Sequence, residues 1–139
     1  EETFASNIPQ AIVLAAREEP LETTWQLAKI IEKVCPRTSK THPATRTFQA
    51  LRIAVNAEFE AVRSAPKLLE QVLLPGGRAA FLTFHSLEDR IIKNALKDLC
   101  QNKEVWCLVN KKVIEPSWQE IKQNSRSRSA KLRVIERVK

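Results

Sequence analysis

The chain has 139 residues, with 23 Lys+Arg against 16 Asp+Glu and a formal net charge of +7. Its hydrophobic fraction of 43% is enough for a packed core, and the length fits one domain or part of a larger one. Only 2 glycines occur, side by side at Gly76-Gly77, which excludes a dinucleotide fingerprint, a P-loop and glycine-rich linkers. No apolar run approaches the roughly 20 residues of a membrane helix. The opening Glu1-Glu2, with no apolar stretch behind it, predicts no signal peptide.

The charge is uneven. Residues 1–34 hold 3 basic and 6 acidic side chains, and residues 35–139 hold 20 and 10. Arg37, Lys40, Arg46 and Arg52 lie in a stretch without any acid, and from Lys122 onward seven basic residues face only Glu136. Two basic zones suit a polyanion such as RNA or DNA, and they equally suit a solvated surface with a basic tail. The three cysteines, Cys35, Cys100 and Cys107, form no CxxC pair, and the 2 His are far apart. Reduced thiols fit better than a zinc site.

The first helix is marked by Phe4, Ile8, Ala11, Ile12 and Ala15. Pro9 predicts either a kink or a start near Ile8. Thr23 and Gln26 have capping-box spacing for a second helix, whose face is Leu27, Ile30, Ile31 and Val34 and whose stop is Pro36. Residues 37–42 read as a polar basic loop. A third helix is predicted from Pro43, with Phe48, Leu51, Val55, Phe59 and Val62 along one continuous face. Thr45, Gln49, Arg52 and Asn56 form a second, polar stripe. Amides and guanidinium on one stripe suit bases and phosphates, although an ordinary solvated face or buried hydrogen bonds explain them as well.

Pro66 predicts a short fourth helix through Leu74, and Pro75-Gly76-Gly77 a turn. Residues 78–84 form a continuous apolar run, as expected of a buried parallel strand. Ser86 is the predicted cap of a fifth helix carrying Ile91, Ile92, Ala95, Leu96 and Leu99. Helix, turn, strand and helix in succession predict an α/β sheet. Residues 105–109 and 131–138 are two further strand candidates. With no helix predicted between them, they read as an antiparallel hairpin at a sheet edge, joined by the polar loop 123–129.

Ligands of open α/β sheets bind at the carboxyl ends of strands. His85, Ser86, Glu88, Asp89 and Arg90 cluster at such an end. Capping and helix-dipole pairing account for Ser86, Glu88 and Asp89. His85 is the candidate for orienting a ligand or acting as a base. No Ser or Cys nucleophile pairs with it, so a hydrolase is disfavoured.

Several segments together carry a family resemblance. His42-Pro-Ala-Thr-Arg-Thr-Phe-Gln-Ala-Leu-Arg-Ile-Ala-Val-Asn56, followed by Glu58, resembles the first signature of the MraW/RsmH-type methyltransferases. Phe84-His-Ser-Leu-Glu-Asp-Arg90 after Pro75-Gly-Gly-Arg78 is similar to their second, and Ser125-Arg-Ser-Arg-Ser-Ala-Lys-Leu-Arg133 to their third. Order and spacing agree along essentially the whole chain.

The resemblance implies an S-adenosylmethionine-dependent enzyme that methylates the N4 amine of a cytosine in small-subunit ribosomal RNA. The implied fold is α/β. It is the C-terminal part of a class I (Rossmann-like) methyltransferase domain, residues 61–139, preceded by the end of a helical substrate-binding insertion, residues 1–60. Family members are about twice as long, and the half carrying their glycine-rich loop and acidic ribose ligand has no counterpart here. The expected cofactor is therefore bound mainly by a missing N-terminal half, and this chain alone is expected to be inactive. His42, Thr45, Arg46, Gln49, Arg52, Asn56, His85, Arg90, Arg126, Arg128 and Lys131 are the expected RNA contacts, with His85 the catalytic candidate and no metal. The partners implied are the small-subunit RNA or the small ribosomal subunit, and the N-terminal half. The compartment implied is a bacterial cytoplasm, or a mitochondrion or plastid. A non-catalytic RNA-binding or ribosome-assembly module is the alternative.

Overall fold

A computed structural model describes residues 4–36 and 41–139. The chain divides into two compact units between Asn56 and Ala57.

The first unit holds three helices, α1 (Asn7–Glu18), α2 (Thr24–Val34) and α3 (Thr45–Val55). Pro9 lies in the first turn of α1, where its missing N–H has no intrahelical partner to lose. The capping box of α2 forms: the Gln26 N–H donates to Thr23 Oγ1 at 3.2 Å, and the Thr23 N–H donates to Gln26 Oε1 at 2.9 Å. Ile8, Ile31, Cys35 and Ala44 are buried together, with Leu27 and Phe48 packed against them.

Two expectations for the third helix change. It begins at Thr45 rather than Pro43, because the Thr45 N–H bonds to the His42 carbonyl and closes a turn first. It also ends at Val55, since Ala57 takes a left-handed φ of 49° that no helix tolerates. The single apolar face predicted through Phe59 and Val62 is thus cut in two, and Val55 is 82% exposed. Of the predicted loop 37–42, residues 37–40 lie outside the described residues.

In the second unit α4 (Glu58–Ser64), a 3-10 turn (Ala65–Leu68) and α5 (Leu69–Val72) follow one another without a break. Pro66 therefore sits inside a helical run instead of opening a helix, its ring buried in the 3-10 turn. Gly76, at φ 81°, turns the chain into β1 (Arg78–Thr83). Next come α6 (Ser86–Leu99), β2 (Trp106–Leu108), α7 (Trp118–Gln123), a 3-10 turn (Ser125–Ser129) and β3 (Lys131–Arg137).

The sheet order is β1-β3-β2. β3 pairs antiparallel with β1 from Arg78↔Glu136 to Thr83↔Lys131, and antiparallel with β2 from Trp106↔Arg137 to Leu108↔Ile135. β1 and β2 consequently run parallel to each other, with β3 in the slot between them. This corrects two expectations. β1 is not a buried parallel strand, because β3 takes its inner edge and Leu82 is 57% exposed. The late strands do pair antiparallel, with β2 at an edge of the described sheet, but α7 and a 3-10 turn lie between them and β3 is central rather than part of an edge hairpin. Asn110 braces the intervening excursion, donating to the Leu132 carbonyl and accepting the Val134 N–H at 2.7 Å. Leu69, Ile92, Leu96, Trp106 and Ile135 form the core between α5, α6 and the sheet. None of the helices among the described residues is long and apolar enough to cross a membrane.

Candidate nucleic-acid interface

The first cluster lies on α3. His42 orders its start, with Nδ1 accepting the Ala44 N–H at 3.1 Å and Nε2 meeting Glu32 Oε1 at 2.9 Å. Lys29, at 3.2 Å, and then His42 bond to Glu32 and hold its carboxyl below the usual range. His42, Thr45, Arg46, Arg52 and Asn56 are exposed, and Gln49 is half-buried. The helical steps between residues 45, 49, 52 and 56 bring these side chains onto one side of α3.

The second cluster sits where β1 runs into α6. His85, rather than the predicted Ser86, is the N-cap: its Nδ1 accepts the Glu88 N–H at 3.4 Å. Imidazole does the work of a capping oxygen here, and Ser86 is the first helical residue and exposed. Glu88 folds back so that Oε2 accepts the Phe84 N–H at 3.1 Å. Its other oxygen lies 3.0 Å from His85 Nε2, a buried atom with no aligned hydrogen bond among the described residues. The Phe59 ring lies against the imidazole, centroids 6.0 Å apart. With Nδ1 accepting from the helix, the neutral ring carries its proton on Nε2, facing carboxylate. A cavity of about 350 Å³ opens beside this cap, lined by Val62, Phe81, Phe84 and Glu88 among others.

Asp89, one residue on, is buried and ties α6 to β3. Arg133 donates Nε to Oδ1 at 2.7 Å and Nη2 to Oδ2 at 3.0 Å, and Lys131 Nζ stands 3.9 Å away. The bonds from Arg133 outweigh the cost of burial and hold the Asp89 carboxyl below its ordinary value. Lys131 is therefore engaged with a carboxylate of its own chain. Arg90 is exposed.

The third cluster precedes β3. Asn124 Oδ1 accepts the Arg126 N–H at 3.2 Å, and the buried Ser127 hydroxyl donates to the Asn124 carbonyl at 2.8 Å. These bonds fix a 3-10 turn from which Arg126 and Arg128 project, both exposed. Because Thr83 pairs with Lys131, the end of β1 and the start of β3 coincide. His85, Asp89 and the Arg126–Lys131 segment thus gather at one end of the sheet. The α3 stripe belongs to the other unit.

Sequence reasoning missed the Glu88 fold-back, the Asp89–Arg133 pair and the exposed Trp118. Glu88 had a signal, since it stands three residues after the cap, as in a capping box.

A helical unit followed by a mixed unit built on an antiparallel sheet is compatible with a fragment of an α/β methyltransferase. The sequence profile described as the MraW methylase family matches residues 1–138, and the chain belongs to that family. It is similar to the protein named ribosomal RNA small subunit methyltransferase H of Elusimicrobium minutum, 57% identical over 99% of this chain and 47% of that protein. The protein of the same name from Maridesulfovibrio salexigens is 44% identical over 99% of this chain and 48% of its own length. That of Wolbachia pipientis is 47% identical over 99% of this chain and 44% of its own. The chain spans about half the length of these relatives.

Proposed function

We propose that this chain is the C-terminal part of an S-adenosylmethionine-dependent methyltransferase acting on the N4 amine of a cytosine in small-subunit ribosomal RNA. The observation that carries the reading is the family match over residues 1–138, which contains all three signature segments in order. In this reading the first unit is the end of a helical substrate-binding insertion. The second is the closing part of a Rossmann-like domain. Two parallel strands with an antiparallel one between them support that assignment. So does the outer edge of β1, unpaired among the described residues, where further strands of the sheet would add.

The described residues do not fit a cofactor cradle. Both glycines belong to the turn before β1, where the Gly76 N–H donates to the Arg137 carbonyl at 2.6 Å. A Cβ on Gly77 would stand 2.8 Å from the Leu74 carbonyl oxygen, so this glycine admits the chain's own backbone rather than a ligand. Cofactor binding is accordingly assigned to the half of the relatives that this chain does not span.

The task left to these residues is to hold RNA. The lone pair of a cytosine amine is delocalised into the ring, so the base has to be held in line for transfer and its departing proton accepted. The base leaves its stack to be reached. His42, Thr45, Arg46, Gln49, Arg52 and Asn56 hold phosphates and base edges, and Arg90, Arg126, Arg128 and Lys131 hold the backbone. His85, capping α6 next to the cavity lined by Phe84 and Glu88, is assigned to contact the base or the pocket rim. The setting is wherever small ribosomal subunits are made, a bacterial cytoplasm or an organelle.

The test joins this chain to the N-terminal half of the Elusimicrobium relative and supplies small ribosomal subunits with labelled S-adenosylmethionine. The joined protein is expected to label a cytosine, and the 139-residue chain alone neither to label RNA nor to bind the cofactor tightly. Tight cofactor binding by the chain alone overturns the division of labour. RNA binding without transfer by the joined protein favours the non-catalytic module.

A further inference from the structure

We infer that Trp118 is a stacking platform for an unpaired RNA base, with Lys122, Arg126 and Arg128 holding the adjoining phosphates; this rests on the ribosomal RNA reading above. The second unit contains two tryptophans with opposite fates. Trp106 is 2% exposed in the core, whereas Trp118 is 71% exposed on the short helix α7. Covering the core does not explain an indole so placed, and leaving it in water forgoes its burial.

Its surroundings are built and cationic. Ser117 caps α7, Oγ accepting the Glu120 N–H at 3.2 Å, so the turn that presents the ring is fixed. Lys122, four residues on, stands 5.3 Å from the ring centroid. α7 packs against the 3-10 turn that carries the exposed Arg126 and Arg128, whose backbone Asn124 and Ser127 pin. From Lys111 to Lys131 there are six basic residues and two acids, Glu115 and Glu120. A flat ring flanked by cations matches the alternation of base and phosphate along a single strand. A preformed platform also loses little conformational entropy when a base settles on it.

The experiment measures binding of a fluorescently labelled, unstructured 12-nucleotide RNA to the full 139-residue chain across a salt series. Trp118→Ala is expected to weaken binding roughly 5- to 150-fold with the salt slope unchanged, as loss of one stacked base predicts. Trp118→Phe is expected to retain most of the affinity. Arg126→Ala with Arg128→Ala is expected to lower the slope of log affinity against log salt by about 1.4. All three variants are expected to melt like the parent, since the side chains are exposed. Equal binding by the parent and Trp118→Ala overturns the platform while leaving the RNA reading intact. Full affinity in Trp118→Leu also overturns it, pointing to an apolar protein contact instead. A parent chain that binds no RNA even at low salt overturns both.

Discussion

Arg133 grips Asp89 with two parallel bonds, 2.7 and 3.0 Å, across 44 residues of sequence. The pair joins the first turn of α6 to the middle of the central strand. It fixes the helix whose N-terminus carries His85, and so links sheet packing to the candidate site.

Removing one partner leaves the other charge poorly solvated. Asp89→Asn is expected to cost about 2–4 kcal/mol at pH 7. The sign with pH follows from a carboxyl whose folded value is lowered. Its contribution is complete above the unfolded value of about 3.9 and is lost as pH falls through the folded one. Urea titrations at pH 7 and pH 3 should show the gap between parent and variant narrowing in acid. A constant gap would mean that the ion pair is not its source.

His85 combines a cap with a candidate catalytic position, and two substitutions separate them. His85→Ala is expected to lose about 0.5–2 kcal/mol of stability, and His85→Asn most of that cap back. If the imidazole also serves at the pocket rim, a joined enzyme carrying His85→Asn will be stable yet slow in methyl transfer. Recovery of both stability and rate would reduce His85 to a cap.

The α3 stripe makes an electrostatic prediction. Arg46→Ala with Arg52→Ala is expected to weaken RNA binding and to lower its salt slope by about 1.4, the value for two phosphate contacts on a single strand. Identical affinities for parent and variant throughout the salt series would remove the stripe from the interface.

Ala57 occupies a left-handed conformation, φ 49°. Strain there is about 1–2 kcal/mol for an L-residue, partly offset in glycine by the freer unfolded chain. Ala57→Gly is expected to raise stability by up to about 1 kcal/mol, and Ala57→Val to lower it. Thermal melts of both variants decide the matter.

What could be read in the sequence was local. The Thr23–Gln26 box, the Gly76 turn and the apolar face of α6 each announce themselves within a few residues. The break at Asn56–Ala57 did not, because the apolar spacing from Phe48 to Val62 continues straight through it. The central place of β3 depends on partners such as Arg78 and Glu136, 58 residues apart, and periodicity carries no information over that distance. In the candidate site, helical spacing singled out Thr45, Gln49, Arg52 and Asn56 and the strand end singled out His85, whereas His42, Arg46 and Arg90 entered as RNA contacts through the resemblance. His85 as a cap was missed because serine next to it is the commoner capping residue. Trp118 was missed because exposure, which a sequence does not show, is what distinguishes it from Trp106.

β1 and β2 never touch, and only the strand made last joins them. As the chain leaves the ribosome, the described strands of the second unit therefore have no common sheet until β3 emerges. Until then the core faces of both strands stay open, a delay expected of such long-range pairing. Deleting residues 131–139 would remove all of β3, and with it Ile135 and Arg133. The loss would fall on the whole unit rather than on its tip, so deleting residues 131–139 should open the entire second unit to proteolysis.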